Sequence, residues 1–269
     1  MLVVIALAVV ALQPKAAGPV GPAKPGTRTS AGILVPATGT PTRFAFRRTL
    51  GRPDAPVHLT VWSDFQCPEC KTFAETSERQ LITDYVVPGK LLIEYRDDDT
   101  VGPESDAAAA AARCADAQDM FWPYHDVLFA NQAPANTGAL VPARLKDMAD
   151  AIGLDRTKFD ACLPGLDVFN DARADTHAAQ QRGTAVPLLD FGLGSAVLEG
   201  SPPYDTLKAT IDALLAQAPV PVPSGASAPA GPSAPAPSSA AAPSAAVGSA
   251  VPSAAAGSAG TSAAASARP

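Results

Sequence analysis

Histidine, tryptophan and cysteine are scarce in this chain: its 269 residues hold three, two and four of them. The histidines, His58, His125 and His177, are scattered. Structural zinc takes four protein ligands, usually from two Cys or His pairs. Cys67 and Cys70 form one pair, but no second pair exists, and Cys114 and Cys162 stand alone. No metal is expected. Basic clusters are missing too. The net charge is −6 and no Lys/Arg run tracks a helix or groove, so nucleic acid is not expected as a partner. No apolar run reaches the roughly 20 residues that span a bilayer. No Gly-rich phosphate loop, paired-carboxylate site or Ser/His/Asp arrangement stands out.

Charge is absent from residue 213 to residue 267. Residues 218–269 are almost only Ala, Pro, Ser, Gly and Val, which cannot bury enough surface to offset ordering entropy. A disordered tail is predicted there. Residues 13–42 read as a Pro/Gly-rich linker with one short apolar word at Ile33 to Val35. Residues 1–12, MLVVIALAVVAL, are wholly apolar and fit a signal or membrane-anchor segment. Export would place the chain in an oxidising compartment. The remaining residues 43–217 suit one domain with a proper core.

Within that domain, Val57 to Trp62 is short, β-branched and apolar, and reads as a buried strand. A helix is predicted from Cys67 to Tyr85, with Pro68 at a first helical position. Leu91 to Tyr95 is a second strand. Helical segments follow at 107–120, 121–131, 141–152, 156–163 and 167–181. Strands at 186–192 and 195–200 and an amphipathic helix at 204–216 close the domain. The helical block, about 103–182, interrupts a small mixed α/β unit.

The chemistry lies at the first strand–helix junction, Cys67-Pro68-Glu69-Cys70. A disulfide across two residues closes almost no loop and is a poor staple. A cysteine at a helix N-terminus faces unpaired N–H groups and the positive dipole end, and both stabilise a thiolate. A second cysteine one turn deeper can resolve a mixed disulfide. Far downstream, a proline opens the strand at Pro187, where ladder pairing is poor. A cis Val186–Pro187 bond in a tight turn would present the Val186 backbone beside the cysteines.

The words APVHLTVWSDFQCPEC, AAAAAARCADAQDMFWPYHDVLFANQ, FDACL and RGTAVPLLDFG occur in the order seen in DsbA-like thiol–disulfide oxidoreductases. The resemblance covers about residues 51–215. It implies an α/β thioredoxin fold with an inserted α-helical domain, here flanked by disordered linkers. It also implies Cys67 as nucleophile, Cys70 as resolving cysteine, Pro187 as cis-proline and Val186 as a substrate-binding backbone. No cofactor is implied. The implied partners are folding exported proteins with cysteines and a membrane quinone-linked reoxidant. A monomer is expected, in the periplasm or on another extracytoplasmic face. Net oxidation of substrate thiols is the favoured direction. A reductase or isomerase, or a peptide-binding chaperone module on the same fold, is the alternative. RDDDT after the second strand and LLDFG after Pro187 depart from common family wording.

Pro68 and Glu69 are the redox-tuning dipeptide. Glu69, with Asp64 nearby, opposes the thiolate. The expected potential therefore falls between about −270 mV for thioredoxin and about −120 mV for DsbA. In an exported chain the leftover Cys114 and Cys162 are expected to pair as a structural disulfide, as similar pairs do in some DsbA-like proteins. His125 is read as a core histidine rather than a ligand, Asp97 to Asp99 as a solvated loop, and Trp62 as packing beneath the active-site strand.

Overall fold

The computed structural model describes residues 25–183, 185–192 and 197–218. The expected signal or anchor segment, the first part of the linker and nearly all of the Ala/Pro/Ser-rich tail lie outside the described residues.

Among the described residues, six strands form one mixed sheet in the order β1-β2-β4-β3-β5-β6. At its centre, β3 (Val57–Ser63) lies parallel to β4 (Leu91–Asp97), in register from Val57↔Leu91 to Ser63↔Asp97. On the other side of β3 runs antiparallel β5 (Leu188–Asp190), which pairs in turn with β6 (Val197–Glu199). Two short strands, β1 (Ala45–Phe46) and β2 (Thr49–Leu50), form a hairpin on the β4 side.

Alternation along β3 divides its side chains between two faces. Val57, Leu59 and Val61 enter the main core with Leu207 and Ile211 of α8 (Tyr204–Gln217). Trp62 points the other way, into a small cluster with Leu188 and Ala179. Ala179 belongs to α7 (Leu166–Gln180), so this helix covers the second face beneath the active-site strand.

The helix expected over 67–85 is broken. It comprises α1 (Pro68–Glu75), α2 (Ser77–Leu81) and a wider π turn at Ile82–Val86. The break falls at Thr76, whose backbone is far from helical (φ −122°, ψ −84°). Its hydroxyl donates to the Thr72 carbonyl at 2.6 Å, the kind of back-bonding that bends helices. Between β4 and β5 come α3 (Pro103–Asp116), α4 (Phe121–Ala130), α5 (Pro142–Ala151), α6 (Arg156–Cys162) and then α7. Cys114 in α3 and Cys162 in α6 are joined by a disulfide.

Two sequence expectations need correction. The linker assigned to 13–42 is ordered structure over residues 25–42. Arg28 and Leu34 form a bridge across a turn at Gly32, and Ile33 is wholly buried. The apolar word at Ile33 to Val35 anchors this strap to the core, although Pro and Gly surround it. The Asp97 to Asp99 run is also not a solvated loop. Asp97 is buried, with Arg113 at 2.7 Å and Arg48 at 3.6 Å. Both arginines also reach Asp175 of α7. Burial pushes the Asp97 carboxyl up to about 6 against the pull of Arg113 and Arg48. A carboxylate at this depth needs such partners, and they come from segments distant in the chain.

Candidate active site

Cys67 is the N-cap of α1, with extended backbone (φ −76°, ψ 123°). Pro68 follows at the first helical position, where its lack of an N–H is harmless. This geometry turns the Cys67 sulfur back over the helix start, and it accepts the backbone N–H of Cys70 at 3.1 Å. Both cysteines are free thiols. Cys67 is buried except for a small exposed area, and Cys70 is wholly covered.

The two thiols are driven apart in acidity. Hydrogen bonds from the Cys70 side chain and backbone hold the Cys67 pKa below its ordinary value, against burial and the charges of Glu69 and Asp64. Burial raises the Cys70 thiol well above its ordinary value, and the proximity of Cys67 adds to this. The outer sulfur is therefore the better thiolate and the inner one the poorer. Glu69 is exposed, but its Oε2 lies 3.7 Å from the Cys67 sulfur.

The Val186–Pro187 peptide is cis. It brings the Val186 carbonyl to 3.5 Å from the Cys67 sulfur. Val186, 119 positions further along the chain, thus lies directly beside Cys67. Pro187 leads directly into β5, and β5 pairs with β3, which ends four residues before Cys67.

The loop between β3 and α1 is held from several sides. Asp64 is buried, accepting the Gln66 N–H at 2.7 Å and the Val101 N–H at 2.9 Å. Gln66 exchanges hydrogen bonds with Asn136: its Oε1 accepts the Asn136 N–H at 2.6 Å and its Nε2 donates to Asn136 Oδ1 at 3.2 Å. Gln132, just beyond α4, donates from Nε2 to the carbonyls of Phe65 at 2.8 Å and Cys67 at 3.0 Å. Sequence reasoning missed Gln132, Gln66 and Asn136. Nothing in a glutamine or asparagine word reveals a partner some seventy positions away.

His125 sits in an aromatic cage of Phe65, Tyr95, Phe121, Trp122 and Phe129. Its Nδ1 is 3.3 Å from Asp126 and its Nε2 is 3.9 Å from Glu78. It is buried in the core, as its sequence context suggested. Glu78 was also missed. It looks like an exposed helical glutamate in the sequence, yet it is buried, and desolvation pushes its carboxyl up to about 7. Among the described residues, no group of three or more His, Cys, Asp or Glu side chains could hold a metal ion. No described helix is long and apolar enough to cross a membrane.

A thioredoxin-type sheet, a Cys-x-x-Cys pair at a helix N-terminus and a helical insertion before the cis-proline strand define a DsbA-like thiol–disulfide oxidoreductase. The family model described as Thioredoxin matches residues 46–213. The chain belongs to that family. The chain is 28% identical over 178 residues to a probable disulfide bond formation protein D of Bacillus cereus, covering 63% of this chain and 79% of that one. The oxidised crystal structure of BdbD from Bacillus subtilis superposes with a TM-score of 0.58 at 23% identity, covering 66% of this chain and 96% of that one. α-DsbA1 of Wolbachia pipientis gives a TM-score of 0.56 at 19% identity, covering 63% and 91%. These two structures share the fold.

Proposed function

We propose that the protein oxidises the thiols of exported proteins through a Cys67–Cys70 disulfide. The observation that carries this reading is the division of labour at the helix start. Cys67 is an N-cap sulfur receiving the Cys70 N–H at 3.1 Å, and Cys70 is sealed behind it. In the oxidised protein, a substrate thiolate attacks the Cys67 sulfur. A substrate–Cys67 disulfide forms and Cys70 leaves with the electron pair of the broken bond. A second substrate thiolate then attacks the substrate sulfur, and Cys67 leaves as a thiolate. The substrate loses two electrons and the pair gains them. The depressed Cys67 pKa favours that last departure, because low-pKa thiols leave faster.

Val186 and Pro187 supply the substrate platform, with the Val186 backbone as pairing edge beside Cys67. Pro68 fixes the helix start, and Glu69 tempers the poise. The Cys114–Cys162 disulfide is structural. It joins α3 to α6 and so supports the insertion. An extracytoplasmic location fits this disulfide and the apolar residues 1–12. A membrane quinone-linked partner would withdraw the two electrons after each turnover, and the chain would work as a monomer. The names of the Bacillus relatives, disulfide bond formation proteins, support the oxidising direction.

The test is oxidation of a peptide dithiol by the preoxidised protein, followed by thiol counting. One equivalent of peptide disulfide should form per protein, and Cys67→Ser should form none. Oxidation by Cys67→Ser at the wild-type rate would remove the reading.

A further inference from the structure

We propose that Gln132 is a positioning residue for the nucleophile: its side-chain amide holds the Phe65 and Cys67 carbonyls and so fixes Cys67 as the helix cap. This rests on the exchange chemistry proposed above.

The Cys67 sulfur meets the Cys70 N–H only while the Cys67 backbone stays extended at the cap. Four hydrogen bonds bear on that backbone, three at Cys67 itself and one at the Phe65 carbonyl two residues before it. The Cys67 N–H donates to the Asp64 carbonyl at 3.1 Å, and the Cys67 carbonyl accepts the Lys71 N–H at 3.1 Å. The other two come from Gln132. Its Nε2 reaches Cys67 O at 3.0 Å and Phe65 O at 2.8 Å. A primary amide has two N–H donors, so one group can serve both carbonyls and pin the loop on each side of Gln66. Phe65 is buried, and a covered carbonyl needs a donor.

Gln132 is itself anchored. Its neighbour Asn131 accepts the Leu34 N–H at 2.9 Å and donates to the Leu34 carbonyl at 2.8 Å. It also donates to the Val127 carbonyl of α4 at 2.8 Å. The dipeptide therefore joins three parts: the N-terminal strap through Asn131, the helical insertion through α4, and the nucleophile's cap through Gln132. The donor end of the Gln132 amide faces the active-site loop. The cap geometry that it holds, with the Cys67 sulfur on the Cys70 N–H, then favours negative charge on Cys67, and so the reduced protein.

The test compares Gln132→Met, which removes the donors without adding charge, and Gln132→Glu, which replaces them with acceptors. Each is equilibrated with glutathione, the Cys67 thiolate absorbance is followed against pH, and thermal unfolding is measured for both redox forms. The glutathione equilibrium should move toward the disulfide by about three- to tenfold in both variants, the span of one net hydrogen bond. The Cys67 pKa should rise, and the reduced form should lose more thermal stability than the oxidised one. A Gln132→Met equilibrium equal to wild type overturns the proposal. Equal destabilisation of both redox forms, or a shift in Gln132→Glu alone, does the same, since it leaves only packing or charge. The equilibrium is read with glutathione alone. A wild-type protein unable to oxidise a peptide dithiol would therefore remove the proposed function while leaving the Gln132 result readable.

Discussion

Glu69→Gln isolates the charge that opposes the active-site thiolate. Glu69 Oε2 stands 3.7 Å from the Cys67 sulfur, on an exposed side chain. At that distance and the dielectric of water, two unit charges repel by about 1 kcal/mol. Water is the right reference for an exposed carboxylate. Removing the repulsion should lower the Cys67 pKa further. It should also make the potential less negative by about 20 mV, since about 30 mV corresponds to 1.4 kcal/mol for a two-electron couple. The sign follows from the cycle: a better thiolate stabilises the reduced form, and the disulfide becomes the stronger oxidant. Glutamine keeps an oxygen in place, so the change is mainly one of charge. Glu69→His should move the potential further, because it can add a donor. The assay is equilibration against glutathione with thiolate absorbance followed over pH. At about 1 M salt the Debye length falls to about 3 Å, so the difference from wild type should shrink. A potential that stays unchanged or becomes more negative would refute the electrostatic reasoning.

Two further outcomes concern stability. Replacing Cys114 and Cys162 by alanine opens a cross-link of 48 residues, worth about 4 kcal/mol in the chain-entropy model. Denaturant unfolding should show a loss of that order while dithiol oxidation persists, and abolished exchange would mean that the bridge is part of the site. Burial pushes Glu78 up to about 7, with His125, Asp126 and Arg79 as the charges facing it. The folded state then holds a proton that the unfolded chain releases near pH 4.3. Stability should fall as pH rises from about 4.5 through 7, by up to about 3 kcal/mol. Glu78→Gln should flatten this slope and raise the melting temperature at pH 8; a slope identical to wild type would exclude Glu78 as its source.

Local patterns made much of this protein readable. The β-branched run ending in Ser63, the cysteine pair with Pro68 at the helix start, and the apolar spacing in the last helix each announce their structure within a few residues. The helical block and the proline opening the strand at Pro187 were legible in the same way, and the family words tied them to the cysteine pair. What escaped depends on partners far along the chain. The strap over residues 25–42 is ordered because Ile33 finds a core built elsewhere, while its own composition suggests a linker. Asp97 is buried because Arg48 and Arg113 converge on it, and the acidic run around it suggests solvent. The helix break falls at Thr76, whose non-helical backbone a helical apolar pattern does not encode. Gln132 reaches the nucleophile's cap across 65 positions, and no spacing rule connects them.

The central claim is that Cys67 exchanges disulfides with substrate thiols and Cys70 resolves the product. Trapping tests it most directly. Cys70→Ser should be incubated with a peptide disulfide and quenched with acid, and the adduct mapped by mass spectrometry. A stable mixed disulfide on Cys67, absent in Cys67→Ser and transient in wild type, is the expected result. No adduct on Cys67, or an adduct that Cys70→Ser resolves as fast as wild type, would contradict the account.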